Sequence, residues 1–409
     1  MNYNEMKNIK KTICSEYINY YVNKGYLAMS PLPLNYKDDI TLDFTTCTIC
    51  TAKKNIKEMK KGKDYVMIQP ALRNIHIDVL GKIQGDDYFF SFFSMMGGFK
   101  YYSSECLSIN EFNKALIDEF NFLCKYANKI ILTIPVQYED FLKIDNKTLI
   151  YLKNKNCIIK YSTDDEKNLK WKYGINNVEG YGIRWEIGNN GDIVNWGNTI
   201  NVFVDNKPFG IDFGGGLESL VYANQNLKSC IYANDAMTDL TKDFCYNNSL
   251  HEKMTDCIIS SMCIIANKDN IILRDKYILS KYMSILNSLM VLTDISKEYV
   301  LALVEDINSK NISFLNKDNM GEVFRKFLEI AEHDYSVILN GDNINKILRL
   351  VELCYNESND LWKKNKKIMK SEYFKYFTNL SDVELLALQK SEKNKVKRKE
   401  KKKWLNQKN

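Results

Sequence analysis

The chain has 409 residues, 45% hydrophobic and 12% aromatic, which excludes a disordered polymer and is long enough for two domains with cores of their own. Lysine and arginine number 57 against 51 acidic residues, for a net charge of +6. No apolar run reaches the roughly 18 residues of a membrane helix and the start carries no secretory core, so a cytoplasmic protein without a membrane partner is expected. Eleven cysteines in no regular framework fit reduced thiols. Cys47-Thr-Ile-Cys50 is a single C-x-x-C. Zinc needs a second pair, so the expectation there is an apolar strand carrying two cysteines, and no metal.

In chain order, Val66 to Arg73 reads as an apolar strand ending in a lone arginine, and Tyr88 to Phe99 as an aromatic return strand after a loop. Such a pair can clamp a nucleotide, with the guanidinium on a phosphate and a ring on the base. The runs 129–134, 157–161 and 199–204 read as further strands. Pro208 to Ser219 places Asp212 and the glycines Gly214, Gly215 and Gly216 at the entry of a helix-like run, Leu217 to Tyr222. Glycines at a strand-to-helix junction let backbone approach an anion, and Asp212 is placed to hold an ammonium group; a Gly-rich turn without function is the alternative.

Composition then shifts. All five prolines lie at or before Pro208, and beyond Gly216 only Gly321 and Gly341 remain of the 18 glycines. Helical periodicities follow, at 276–292 and 323–331. The expected division is residues 1–225 as an α/β domain, 226–390 as an all-helical domain and 391–409 as a basic tail. In that tail Lys393, Lys395, Lys397, Arg398, Lys399, Lys401, Lys402 and Lys403 are either a contact for RNA phosphates or a solvated end.

Taken together, the Gln69-Pro70-Ala71-Leu72-Arg73 strand end, the Phe92-Phe93-Ser94-Met95-Met96 return strand and the Asp212-Phe213-Gly214-Gly215-Gly216-Leu217-Glu218 turn resemble motifs 2 and 3 of the class II aminoacyl-tRNA synthetases. The order and spacing are most similar to the alanyl-tRNA synthetases of the archaeal type. The likeness opens on a helix near Glu16 to Tyr26 and extends, more faintly, to about residue 360. The resemblance implies an antiparallel class II sheet with flanking helices, ATP and Mg²⁺ as cofactors, and alanine or another small amino acid plus tRNA as partners. By the same resemblance Arg73 is the catalytic residue, touching the α-phosphate and the substrate carboxylate. Phe92 or Phe93 stacks on adenine, with Lys82, Gly214 and Gly216 at the nucleotide. Asp212 takes the substrate ammonium group, and Trp185, Glu186 and Asn198 line the amino-acid pocket. With only His76, His251 and His333, the family's histidine-rich zinc editing domain has no counterpart here.

The chain also departs from the family. Ser219 stands where the motif 3 arginine is expected, Asp86 and Asp87 replace a cationic pair, and Ser94 replaces a glutamate. Loss of positive charge at a phosphoryl-transfer centre costs several kcal/mol of transition-state stabilisation. Three functions therefore stay open: an alanyl-tRNA synthetase-like ligase, a ligase with another acceptor, and a non-catalytic binding paralogue.

Overall fold

A computed structural model describes residues 3–36, 44–73, 81–82, 88–163, 169–189, 193–246, 249–267, 273–293, 295–312 and 314–338. The expected α/β architecture is present: a mixed, largely antiparallel sheet flanked by helices, followed by a helical region. The strands of the main sheet are β1 (Leu27–Ala28), β2 (Tyr65–Leu72), β5 (Phe92–Tyr101), β6 (Lys129–Pro135), β7 (Ile158–Ser162), β8 (Lys170–Lys172), β9 (Val178–Gly188), β10 (Val194–Val204) and β11 (Lys207–Gly216), and β3 (Gly81–Lys82) pairs separately with β4 (Tyr88–Phe89). Across the sheet the order is β1-β2-β5-β11-β10-β9-β6-β7, with β8 added on β9. Only the outermost pairs of that order, β1 with β2 and β6 with β7, run parallel.

Side chains alternate across a strand, so each strand serves both faces. One face carries Val66, Phe92, Met96, Ile183, Trp185, Trp196, Ile211 and Phe213, and packs beneath α1 (Tyr3–Val22), α3 (Ser108–Leu123) and α6 (Leu217–Gln225). The other carries Tyr65, Met67, Phe99, Ile200 and Val202 beneath α2 (Lys53–Lys57) and the 3-10 turn Thr48–Thr51 that precedes it. Two short helices, α4 (Glu139–Leu142) and α5 (Asn146–Asn154), lead from β6 to β7.

After α6 no strand occurs among the described residues. The chain continues as α7 (Asp239–Cys245), α8 (Ser249–Ala266), α9 (Leu273–Thr293), α10 (Lys297–Ser309) and α11 (Met320–Ile338). Their buried residues, among them Met254, Ile258, Leu286, Val304 and Phe324, belong to the same core as the helix-covered face of the sheet. Among the described residues strands end with β11 at Gly216, and the apolar packing runs on past α6 into the later helices. Polar ties reinforce that junction. Asp256 on α8 accepts from the Ser91 backbone N–H (3.1 Å) and hydroxyl (3.1 Å), and Asn234 donates to the Phe92 carbonyl (2.8 Å). Burial lifts the Asp256 carboxyl to about 7. Among the described residues no helix is long and apolar enough to cross a membrane.

Candidate functional site

The strand pair expected from sequence is built as β2 and β5, antiparallel, with Leu72 opposite Phe92 and Ala71 opposite Phe93. Arg73, one residue past β2, donates its backbone N–H to Ser91 O (2.8 Å) and its Nε–H to Thr46 O (3.4 Å). Its guanidinium carbon lies 4.9 Å from the centroid of the Phe93 ring. Phe93 is thus on the face opposite the helices, whereas Phe92 is buried in the helix-covered core.

Asp212 lies in the middle of the sheet, on β11 between Phe99 of β5 and Ile200 of β10. It is 9% exposed, and Tyr173 donates to its Oδ2 over a long 3.5 Å. Burial, then the nearby Cys47 charge, lifts its carboxyl well above the usual carboxylate range. A carboxyl so poorly compensated gains most from a cationic partner. Two cations are within electrostatic range: Lys53, buried on α2, and Arg73. Burial lowers the Arg73 guanidinium from its ordinary value, while Cys47 and Asp212 act to raise it.

Glycines let two elements settle close to the sheet on either side of Asp212. A Cβ on Gly97 would stand 3.0 Å from the Thr48 hydroxyl, and one on Gly182 would stand 2.8 Å from the Trp171 ring on β8. Asn198 and Arg184 lie on the same strip, with Arg184 opposite Asn198 and Asn198 opposite Gly214. Asn198 donates to the Ile183 carbonyl (3.0 Å), while the buried Nε of Arg184 has no hydrogen-bond partner. Arg184, Lys53 and Tyr173 were not singled out from sequence, since nothing local marks them: strand register brings Arg184 here, the fold-back of β8 brings Tyr173, and the seating of α2 on the sheet brings Lys53.

The remaining sequence candidates are distributed differently. Trp185 faces the opposite side, where its indole N–H reaches Glu119 (3.0 Å) and Thr199 (2.9 Å). Glu186 shares the Arg184 face but lies further along β9, where it accepts from the Thr133 hydroxyl (3.2 Å). Gly214 has φ +140°, and a Cβ there would stand 2.1 Å from Met96 O, so close strand approach by itself demands glycine. Gly216 precedes α6, whose first turn already holds an anion of its own: Glu218 accepts from the Ser94 N–H (2.9 Å) and pairs with buried Lys10 (3.0 Å). Ser219 hydrogen-bonds with Cys230. The side chain of Lys82, residues Asp86 and Asp87, and the basic tail lie outside the described residues.

Cys47 and Cys50 do not form a strand. Cys47 caps the 3-10 turn Thr48–Thr51 and Cys50 lies within it, and their sulfurs are 3.8 Å apart. Among the described residues no group of three or more histidine, cysteine or acidic side chains is arranged to hold a metal. An open cavity of about 720 Å³ lies elsewhere, beside Lys172, Asn177, Glu179 and Phe203, and contains none of the candidate residues.

No protein-family model matches the chain, and no curated protein matches it. Among solved structures, the apo histidyl-tRNA synthetase of S. aureus is similar at 10% identity and a TM-score of 0.33, covering 53% of this chain and 68% of that one. A superposition that loose assigns no activity, and the functional reading rests on the residues themselves.

Proposed function

We propose that the chain is a class II aminoacyl-tRNA synthetase-like protein that binds a small amino acid, alanine first, together with ATP, and forms an aminoacyl adenylate for transfer to tRNA. The observation that supports it is the desolvated Asp212 carboxyl, with only a 3.5 Å contact to Tyr173, on a face where Arg73 and Lys53 supply positive charge. In this reading Asp212 takes the ammonium group and Asn198 borders the small side chain. Arg73 draws the carboxylate and the α-phosphate together, neutralising charge that develops between them. Phe93 offers its ring to adenine. Mg²⁺ would arrive on the nucleotide's phosphates, because the described residues present no carboxylate cluster for it and Glu218 is engaged by Lys10. The basic tail, Lys393 to Lys403, would add sequence-independent affinity for RNA.

Calorimetry with alanine, serine and glycine tests the pocket. A charge-assisted hydrogen bond of about 1.5–3 kcal/mol makes Asp212→Asn bind ten- to a hundredfold more weakly. Equal affinity for the two proteins would remove the pocket assignment. Exchange of pyrophosphate into ATP then separates activation from binding.

A second reading, a binding paralogue without catalysis, is favoured by Ser219. The position where the resemblance expects a γ-phosphate arginine carries a hydroxyl hydrogen-bonded with Cys230. Amino-acid binding without pyrophosphate exchange would select it.

A further inference from the structure

Cys47 and Cys50 take no part in the scheme above, yet they line the same site. We propose that they are a redox-active dithiol, which a low-molecular-weight disulfide oxidises to an intramolecular Cys47–Cys50 bond. This rests on geometry independent of the amino-acid reading. The sulfurs are already 3.8 Å apart, with Cys47 at the start of the 3-10 turn that carries Cys50, against the roughly 2.05 Å of a disulfide. The two are unequal in access: Cys47 is partly exposed, whereas Cys50 is buried at 2%. That asymmetry sets the order of attack.

The surroundings favour a thiolate on Cys47. Cys50 and the Thr46 hydroxyl (3.5 Å) both hydrogen-bond with its sulfur, and Arg73 and Lys53 place positive charge near it. The hydrogen bond from Cys50 is the largest influence, and against the opposing effect of burial the thiol is lowered to about 6. Asp212, Tyr65 and Tyr173 face the same group and are all held toward their protonated forms by burial. Two buried thiols contrast with it: burial lifts Cys157 and Cys245 to about 12.

The chemistry balances without a metal. The Cys47 thiolate attacks one sulfur of the small disulfide, forming a mixed disulfide and releasing the first small thiolate. Cys50 then loses its proton to solvent and attacks the Cys47 sulfur, closing the protein disulfide and releasing the second thiolate. Two electrons pass from the dithiol to the small disulfide. Oxidation thereby removes the Cys47 charge from beside Arg73 and Asp212.

The test is to equilibrate the full chain with glutathione and glutathione disulfide at graded ratios, quench with acid and map the cysteines by mass. The expected result is a Cys47–Cys50 disulfide accompanied by loss of two hydrogens. In Cys50→Ser the reaction should stop at glutathione attached to Cys47, and in Cys47→Ser the Cys50 thiol should remain unmodified. At pH 7 Cys47 should alkylate on the order of tenfold faster than the exposed Cys106 and Cys124. Failure of the wild-type chain to form the 47–50 bond, or faster reaction at Cys106 and Cys124, would overturn the proposal.

Discussion

Glu119 gives a pH dependence whose size follows from its surroundings. It projects from α3 into the core behind the candidate site, where Oε2 accepts from Trp185 Nε1 (3.0 Å) and lies against the Thr199 hydroxyl. Its other oxygen is buried without a partner. Burial raises the carboxyl from an ordinary 4.5 to about 8, with the hydrogen bonds from Thr199 and Trp185 opposing the rise. Between those values the folded chain holds a proton that the unfolded chain has released, so stability must fall as pH rises through the window. The difference between 4.5 and about 8 amounts to about 5 kcal/mol at the limit, most of it falling between pH 5 and pH 8. Glu119→Gln keeps a hydrogen-bonding group of the same shape and removes the ionisation. Urea unfolding at pH 5, 6.5 and 8 should show the wild type losing on the order of 3–4 kcal/mol relative to the variant across that range. Asp256 contributes the same fall to both proteins; Asp212 feels the Glu119 charge only as a lesser influence, behind burial and Cys47, so the difference between the profiles is dominated by Glu119. Parallel pH profiles would refute the reasoning.

Gly214→Ala should cost on the order of 3 kcal/mol or more in urea unfolding, because the added carbon meets Met96 O at 2.1 Å with φ +140°. Gly216→Ala, whose nearest neighbour is the Ser219 hydroxyl at 3.1 Å, should cost far less. Lys10→Met should destabilise by about 3–5 kcal/mol, since it leaves Glu218 buried without its cation; the Lys10→Met, Glu218→Gln double variant should recover part of the loss. In the adenylate-forming reading, Ser219→Arg supplies the missing cation and should raise pyrophosphate exchange roughly ten- to a hundredfold. An unchanged rate, with ATP binding undetectable in both proteins, selects the binding paralogue.

The strands on both sides of the site were legible because their apolar runs end in chemistry-bearing residues: Arg73 after β2, and Asp212 within β11. The disappearance of proline and glycine likewise marked where strands give way to helices, since turns need those residues and long helices do not. What escaped was the facing of individual side chains. β9 is covered on both sides, so apolar residues line each face: alternation sets Trp185 and Glu186 on opposite faces but does not say which of the two faces the site. The C-x-x-C was expected as a strand because its neighbours are β-branched and apolar. The chain instead winds into a turn there, with Thr48 seated on Gly97 and its carbonyl accepting from the Tyr65 hydroxyl at 2.9 Å. Arg184 reaches the site through long-range strand pairing and Lys53 through the packing of α2 on the sheet, neither of which a local pattern encodes.

The ties between α8 and the start of β5 make the site mechanically continuous with the helical region. Asp256 grips Ser91, and Ser91 in turn accepts the backbone N–H of Arg73 at 2.8 Å. Asn234 fixes the carbonyl of Phe92, the residue immediately before Phe93. A shift of α8 is therefore delivered to the arginine and its aromatic platform through hydrogen bonds alone, with no loop between to absorb it. Burial lifts the Asp256 carboxyl to about 7, and a proton gained there turns a charged acceptor for Ser91 into a neutral, weaker one.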